Sequence, residues 1–234
     1  MAMEINGSLI VDTAFSESRG TFRAASTQVT GKPMKLKVNT RTYDMTEERA
    51  FETFPLASGS GRYTVVLYRQ RDDTGKFVRV GCVRFTVRLQ REDAAFLNPN
   101  QWVQYDALSP WILAAHQMCE GLSGNAAYEA IRLLVDENLR FDYIKALKSK
   151  YNERPDLERC WEVQMGTSLD LASIAASMMR VRCIPAQLVV GTVGKSQKPH
   201  AWVLATVENR LRLYDPAAEI RGIVLRRYAP ERRY

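Results

Sequence analysis

The sequence predicts an α+β protein, with an antiparallel β-sandwich first and a mixed core of helices and strands after it. Two observations carry this. Residues 1 to about 95 hold short runs in which apolar and polar side chains alternate, separated by turn signals. Beyond Glu92 the spacing turns helical, and three short apolar runs follow the last helical stretch. The expected division is a β-sandwich domain over residues 1–95 and a core domain over residues 96–234.

In the first part, "MKLKVNT" sets Leu36 and Val38 on one face and lysines on the other. "GRYTVVLYRQ" is β-branched and aromatic, and "VRFTVRLQ" opposes Phe85, Val87 and Leu89 to Arg84, Thr86 and Arg88. "SGSG" at 58–61 and "DDTG" at 72–75 are turn signals.

In the second part, "FLNPNQWVQYDALSP" reads as a loop whose end, Ser109-Pro110, is a helix cap followed by a first-turn proline. The helix "WILAAHQMCE" stops at Gly121, and a second is expected from about 126 to 148, with Ile131, Leu134 and Val135 on its apolar face. "KYNERPDLERCWEVQM" reads as irregular. A helix over 168–182 comes next, then strands near 186–192, 201–207 and 210–214.

Composition removes several function classes. With 234 residues, 46% hydrophobic and 25% charged, the chain has the make-up of a soluble globular protein. No run approaches the roughly 18 apolar residues of a membrane span, and the first residues lack the basic-then-apolar order of a secretory signal. The net charge of +7 is scattered; its densest group, "RGIVLRRYAPERRY", reads as a solvated tail, so no nucleic-acid partner is expected. The four cysteines are too widely spaced for a zinc or redox motif. Without a phosphate loop or a metal-ligand cluster, no cofactor and no metal are expected.

The chemistry-bearing residues gather late in the chain. Ser168 opens the helix in "MGTSLDLA", where a serine reads first as a cap for the free amides of the first turn. "PHAW" sets His200 at the start of a strand, and "LYDPA" sets Asp215 at the end of the next. Two such strands should pair as a hairpin and bring His200 and Asp215 together, the base half of a nucleophilic triad. Gln164 could donate to an oxyanion or be a surface glutamine, and Asp170 suits the positive end of the helix. Trp202 could shield His200 or simply be core. His116, in mid-helix with no nucleophile near it, reads as structural.

The order Gly166-Thr167-Ser168-Leu169-Asp170-Leu171-Ala172, Ile184-Pro185, Val189-Val190-Gly191, His200-Ala201-Trp202 and Asp215-Pro216 resembles the transglutaminase-like superfamily. The β-rich start and the loops before the core resemble bacterial members with an N-terminal β domain. The resemblance implies a papain-like α+β core and a Cys-His-Asp triad for acyl transfer: transamidation, deamidation or peptide hydrolysis. It puts Ser168, His200 and Asp215 in the catalytic positions. Relatives of this layout are often exported, which implies an extracellular home.

Ser168 stands where the family has its cysteine. A thiol at a helix N-terminus beside a histidine ionises readily, and a hydroxyl does not. Cys183 cannot substitute, since it lies roughly 22 Å away, beyond the far end of the same helix. Cys160, eight residues upstream, is not excluded by the sequence. Leu171 stands where relatives often have an aromatic, and Cys183 where they usually have glycine. The reading is a catalytically silent relative that binds protein or peptide segments. The alternative is a thiol acyltransferase or cysteine peptidase whose cysteine has been replaced, and a working serine triad is a third. The codon at position 168 in the natural coding sequence separates the first two.

Overall fold

The computed structural model describes residues 3–46, 50–72, 74–148, 153–194 and 198–234. The chain forms two compact units, Met1–Ala95 and Phe96–Tyr234.

The first unit holds β1 (Met3–Asn6), β2 (Leu9–Asp12), the single turn α1 (Ser16–Arg19), β3 (Thr21–Ser26), β4 (Met34–Val38), β5 (Arg41–Met45), β6 (Glu52–Pro55), β7 (Gly61–Gln70) and β8 (Phe77–Val87). They make two four-stranded antiparallel sheets, in the orders β1-β2-β3-β6 and β5-β4-β7-β8. The alternation expected for β4 holds: Met34, Leu36 and Val38 are buried, and Lys37 is exposed. Tyr63, Val65 and Leu67 do the same on β7. Aromatic rings tie the sheets together. Phe22 of β3 meets Phe85 of β8, and Tyr43 of β5 meets Phe54 of β6, each at 5.7 Å between centroids. The "SGSG" turn joins β6 to β7; Asp73 of "DDTG" lies outside the described residues.

The second unit is built around one helix. Its elements are α2 (Pro110–Met118), α3 (Gly124–Asn138), β9 (Arg140–Phe141), α4 (Tyr143–Lys148), α5 (Leu157–Val163), β10 (Met165–Gly166), α6 (Ser168–Val181), β11 (Ala186–Val193), β12 (His200–Val207), β13 (Arg210–Tyr214), α7 (Pro216–Ile220) and β14 (Tyr228–Arg233). The antiparallel sheet runs β13-β12-β11-β14. Every residue of α6 from Asp170 to Arg180 is buried. The helix packs on β11 and β12 with one side and on α2, α3, α5 and α7 with the others. That explains its apolar, small-residue sequence: a helix covered all round has no polar face. Trp111 of α2 donates its Nε1–H to Ser177 Oγ at 3.0 Å, which satisfies two polar groups inside this contact.

Three expectations need correction. The helix expected over 126–148 is two helices. Leu139 is extended (φ −110°, ψ 156°) and fully buried. The next residues leave the helix to pair in parallel with β10, through Arg140 N to Gln164 O and Asp142 N to Gly166 O. Asp142 then caps α4 by accepting from Lys145 N at 2.8 Å. "KYNERPDLERCWEVQM" is not all irregular, because it contains α5, capped by Asp156 accepting from Arg159 N; its Lys150, Tyr151 and Asn152 lie outside the described residues. The arginine-rich end is not a solvated tail, because its last part is β14, paired with β11.

Cys183 has φ 58°. A side chain in the left-handed region costs roughly 1–2 kcal/mol, a penalty glycine escapes. Cys183 is exposed, so its thiol gives little packing in return. Cys183→Gly should therefore raise stability by roughly 1 kcal/mol, read as a higher denaturant midpoint with unchanged slope.

Candidate functional site

The start of α6 is set by Thr167, not Ser168. Thr167 is the cap residue and forms a reciprocal capping box with Asp170. Asp170 Oδ2 accepts from Thr167 N at 2.8 Å, from Thr167 Oγ1 at 2.8 Å and from Lys145 Nζ at 2.9 Å; Oδ1 accepts from Asp156 N at 3.3 Å. Asp170 thus does the helix-start work expected of it. Ser168 becomes the first residue of the helix proper and its hydroxyl is released from capping. That hydroxyl accepts from Ala201 N, on β12, at 3.3 Å.

Gly166 is required by close approach. A Cβ there would meet Cys160 Sγ at 2.6 Å and Asp170 Cβ at 2.8 Å. Cys160 itself is 1% exposed, and burial, with the Asp170 carboxylate adding to it, pushes its thiol up to about 12. A thiol held protonated and sealed from solvent cannot take over as nucleophile.

His200 begins β12, next to the amide that reaches Ser168. Its Nε2 lies 2.6 Å from Asp215 Oδ2. A carboxylate oxygen accepts, so Nε2 carries the hydrogen, and Nδ1 is left as the ring's other working atom. The pair is not directly opposed in the hairpin. The β12–β13 ladder ends at Val203↔Tyr214, so both residues lie past its end. Asp215 reaches His200 because the chain turns there into α7, which Asp215 caps by accepting from Ala218 N on Oδ1 at 3.0 Å. The pair is sheltered, with side chains 14% and 3% exposed for His200 and Asp215.

Trp202 is buried, and its ring lies 6.4 Å from that of His200 at an interplanar angle of 23°. It also joins Val189 and Val193 in a small core, so the core use expected for it holds. Gln164 is exposed; its backbone, at φ 54°, closes α5 in a left-handed cap. His116 is exposed on α2 beside Arg182, away from these groups. Tyr228 went unnoticed in the sequence because it sits among arginines, yet its hydroxyl donates to Asp215 Oδ2 at 2.9 Å. Among the described residues, no three His, Cys, Asp or Glu side chains gather to hold a metal ion, and no helix is long and apolar enough to cross a membrane.

Behind Asp215, Tyr214 donates its hydroxyl to Asp136 Oδ1 of α3 at 2.7 Å. Burial, with Glu219 adding to it, pushes the Asp136 carboxyl up to about 6, although the Tyr214 bond and Arg132 oppose this. The folded value lies above that of the unfolded chain, so the native state holds the proton more tightly. This group's stabilising contribution is complete below about pH 4 and is lost as pH rises through about 6. Asp136→Asn, which keeps an acceptor for Tyr214, should flatten the stability–pH curve across that window. Unfolding midpoints at pH 5 and pH 7 check this.

Together these groups place a hydroxyl on the first turn of a 14-residue helix, bonded to the amide that follows a histidine oriented by a carboxylate. Amides at such a helix start favour negative charge, and an oriented imidazole can take a proton from a neighbouring nucleophile. The arrangement suits acyl transfer.

Residues 115–216 match the family model of the transglutaminase-like superfamily. That segment contains Ser168, His200 and Asp215. A search of curated proteins returned no match. Among solved structures, one similar chain is a candidate cysteine protease from Cytophaga hutchinsonii, at 13% identity and TM-score 0.46, covering 95% of this chain and 81% of that one. A transglutaminase is similar at 22% identity and TM-score 0.40, covering 51% and 32%. Red sea bream transglutaminase is similar at 11% identity and TM-score 0.36, covering 85% and 48%. This chain thus spans less than half the length of either transglutaminase.

Proposed function

We propose that this protein, whose residues 115–216 match the transglutaminase-like superfamily, keeps the catalytic places of that superfamily with serine in the cysteine's position. As written it is catalytically silent or nearly so, and it binds protein or peptide segments at that place. The observation carrying this reading is the bonded pair of His200 Nε2 and Asp215 Oδ2 at 2.6 Å, with Ser168 on the amide next to His200. Base and orienting carboxylate are kept, but the atom they would serve is oxygen. A serine at a thiol site must lose its proton during attack, without a prior anion.

The completeness of the pair favours a second reading, a thiol acyltransferase or cysteine peptidase acting on protein glutamine or peptide bonds once cysteine stands at 168. Amine incorporation into glutamine-donor peptides and peptide hydrolysis, both followed by mass spectrometry, test the first reading. The chain as it stands should show neither above background. Turnover that disappears on His200→Ala would overturn silence.

A further inference from the structure

The carboxylate behind His200 has a second partner on its working oxygen, outside the segment that matches the family. Tyr228 donates to Asp215 Oδ2 at 2.9 Å, the oxygen that also receives His200 Nε2 at 2.6 Å. Its ring stands edge-on to Trp202 at 4.9 Å between centroids, and Trp202 lies nearly parallel to the imidazole. Phenol, indole and imidazole therefore form one packed group around the His200–Asp215 bond.

The backbone is bent to deliver this hydroxyl. Arg227 takes a left-handed φ of 62° immediately before Tyr228. A non-glycine residue held there costs about 1–3 kcal/mol and persists only where its surroundings impose it. The β11–β14 ladder also shifts register between Val190 and Gly191, whose strand neighbour on the other side is His200. A Cβ at Gly191 would meet Ala229 O at 2.0 Å, so the bulge closes only on glycine.

We infer that Tyr228 is a positioning residue, which fixes Asp215 Oδ2 toward the imidazole and keeps water from the His200–Asp215 bond. This rests on the reading of His200 and Asp215 as base and orienting group. Asp215 Oδ1 is already held by Ala218 N. Tyr228 fixes the other oxygen, so the carboxylate has no free rotation left. Burial and the Asp215 charge raise the Tyr228 hydroxyl well above its ordinary value, so it stays a donor at any physiological pH.

The test uses Tyr228→Phe, which keeps the ring and its packing on Trp202. The chain has only two histidines, and the ring hydrogen of exposed His116 exchanges with water too fast to give a signal, so the imidazole N–H signal in a nitrogen-15 spectrum is that of His200. In Tyr228→Phe the His200 Nε2–H should exchange with water about tenfold faster, the scale of one lost hydrogen bond, while backbone amides of the first unit are unchanged. In a Ser168→Cys background, Tyr228→Phe should slow alkylation at 168, and that effect should vanish when His200 is also alanine. An unchanged His200 exchange rate, or slowing that persists without His200, overturns the role given to Tyr228. Slow alkylation of Ser168→Cys itself counts against the proposed function alone, since the exchange measurement needs no thiol.

Discussion

Ser168→Cys should create the most reactive thiol in the molecule. A cysteine at a helix N-terminus beside an oriented histidine has its pKa lowered from about 8.5 into the range of about 3.5–7.5. At neutral pH about a quarter to nearly all of it is thiolate, against a few per cent of an ordinary cysteine. Its lower intrinsic nucleophilicity takes back part of that gain. Alkylation by iodoacetamide should still be faster than at exposed Cys183, by about tenfold near pH 7 and more near pH 6. Cys82, Cys119 and Cys160 are buried and should barely react. Peptide mapping of the labelled protein gives the four native sites and position 168 in one experiment.

Asp170→Ala should be the most damaging single change near the site. Asp170 is 1% exposed, and its carboxylate accepts four hydrogen bonds, from Thr167 N, Thr167 Oγ1, Lys145 Nζ and Asp156 N. Removing it strands those donors and takes one negative charge from beside Lys145 Nζ. Breaking a buried, hydrogen-bonded ion pair from one side costs about 3–5 kcal/mol; Lys145 is 31% exposed and can turn to water, which places the expectation at the lower end. Asp170→Asn should recover only part, because it keeps an acceptor but aims an N–H at existing donors. The same carboxylate holds the cap of α6, so fraying at Thr167 should also slow alkylation in Ser168→Cys. Urea unfolding with unchanged slope gives the first number, and labelling kinetics the second.

What the sequence disclosed depends on the range of the interaction. The strands of the first unit were legible because alternation is local: Leu36 and Val38 face inward for reasons contained in their own heptapeptide. His200 and Asp215 were legible as neighbours because a short hairpin separates them, although the ladder stops before either and a helix cap supplies the reach. The cap of α6 was assigned one residue late, since Thr167 and Ser168 are both good caps and only Asp170, three residues past Thr167, favours the first. The break at Leu139 was invisible, because α3 ends there to let Arg140 and Asp142 pair with residues over twenty positions on. Tyr228 was hidden for the same reason. Nothing in "RRYAPERRY" indicates a strand until β11 is beside it, and nothing indicates a carboxylate partner until the bulge at Gly191 is formed.

Positions 168, 200 and 215 are expected to act as one unit around a nucleophile's place. The most direct measurement is the iodoacetamide alkylation rate of Ser168→Cys across pH 5–8, with and without His200→Ala. The expected result is a fast thiol whose rate is nearly flat down to about pH 6, and which falls to that of an ordinary cysteine when the imidazole is removed. Equal rates in the two proteins, each rising only toward pH 8 as for a free thiol, would contradict it.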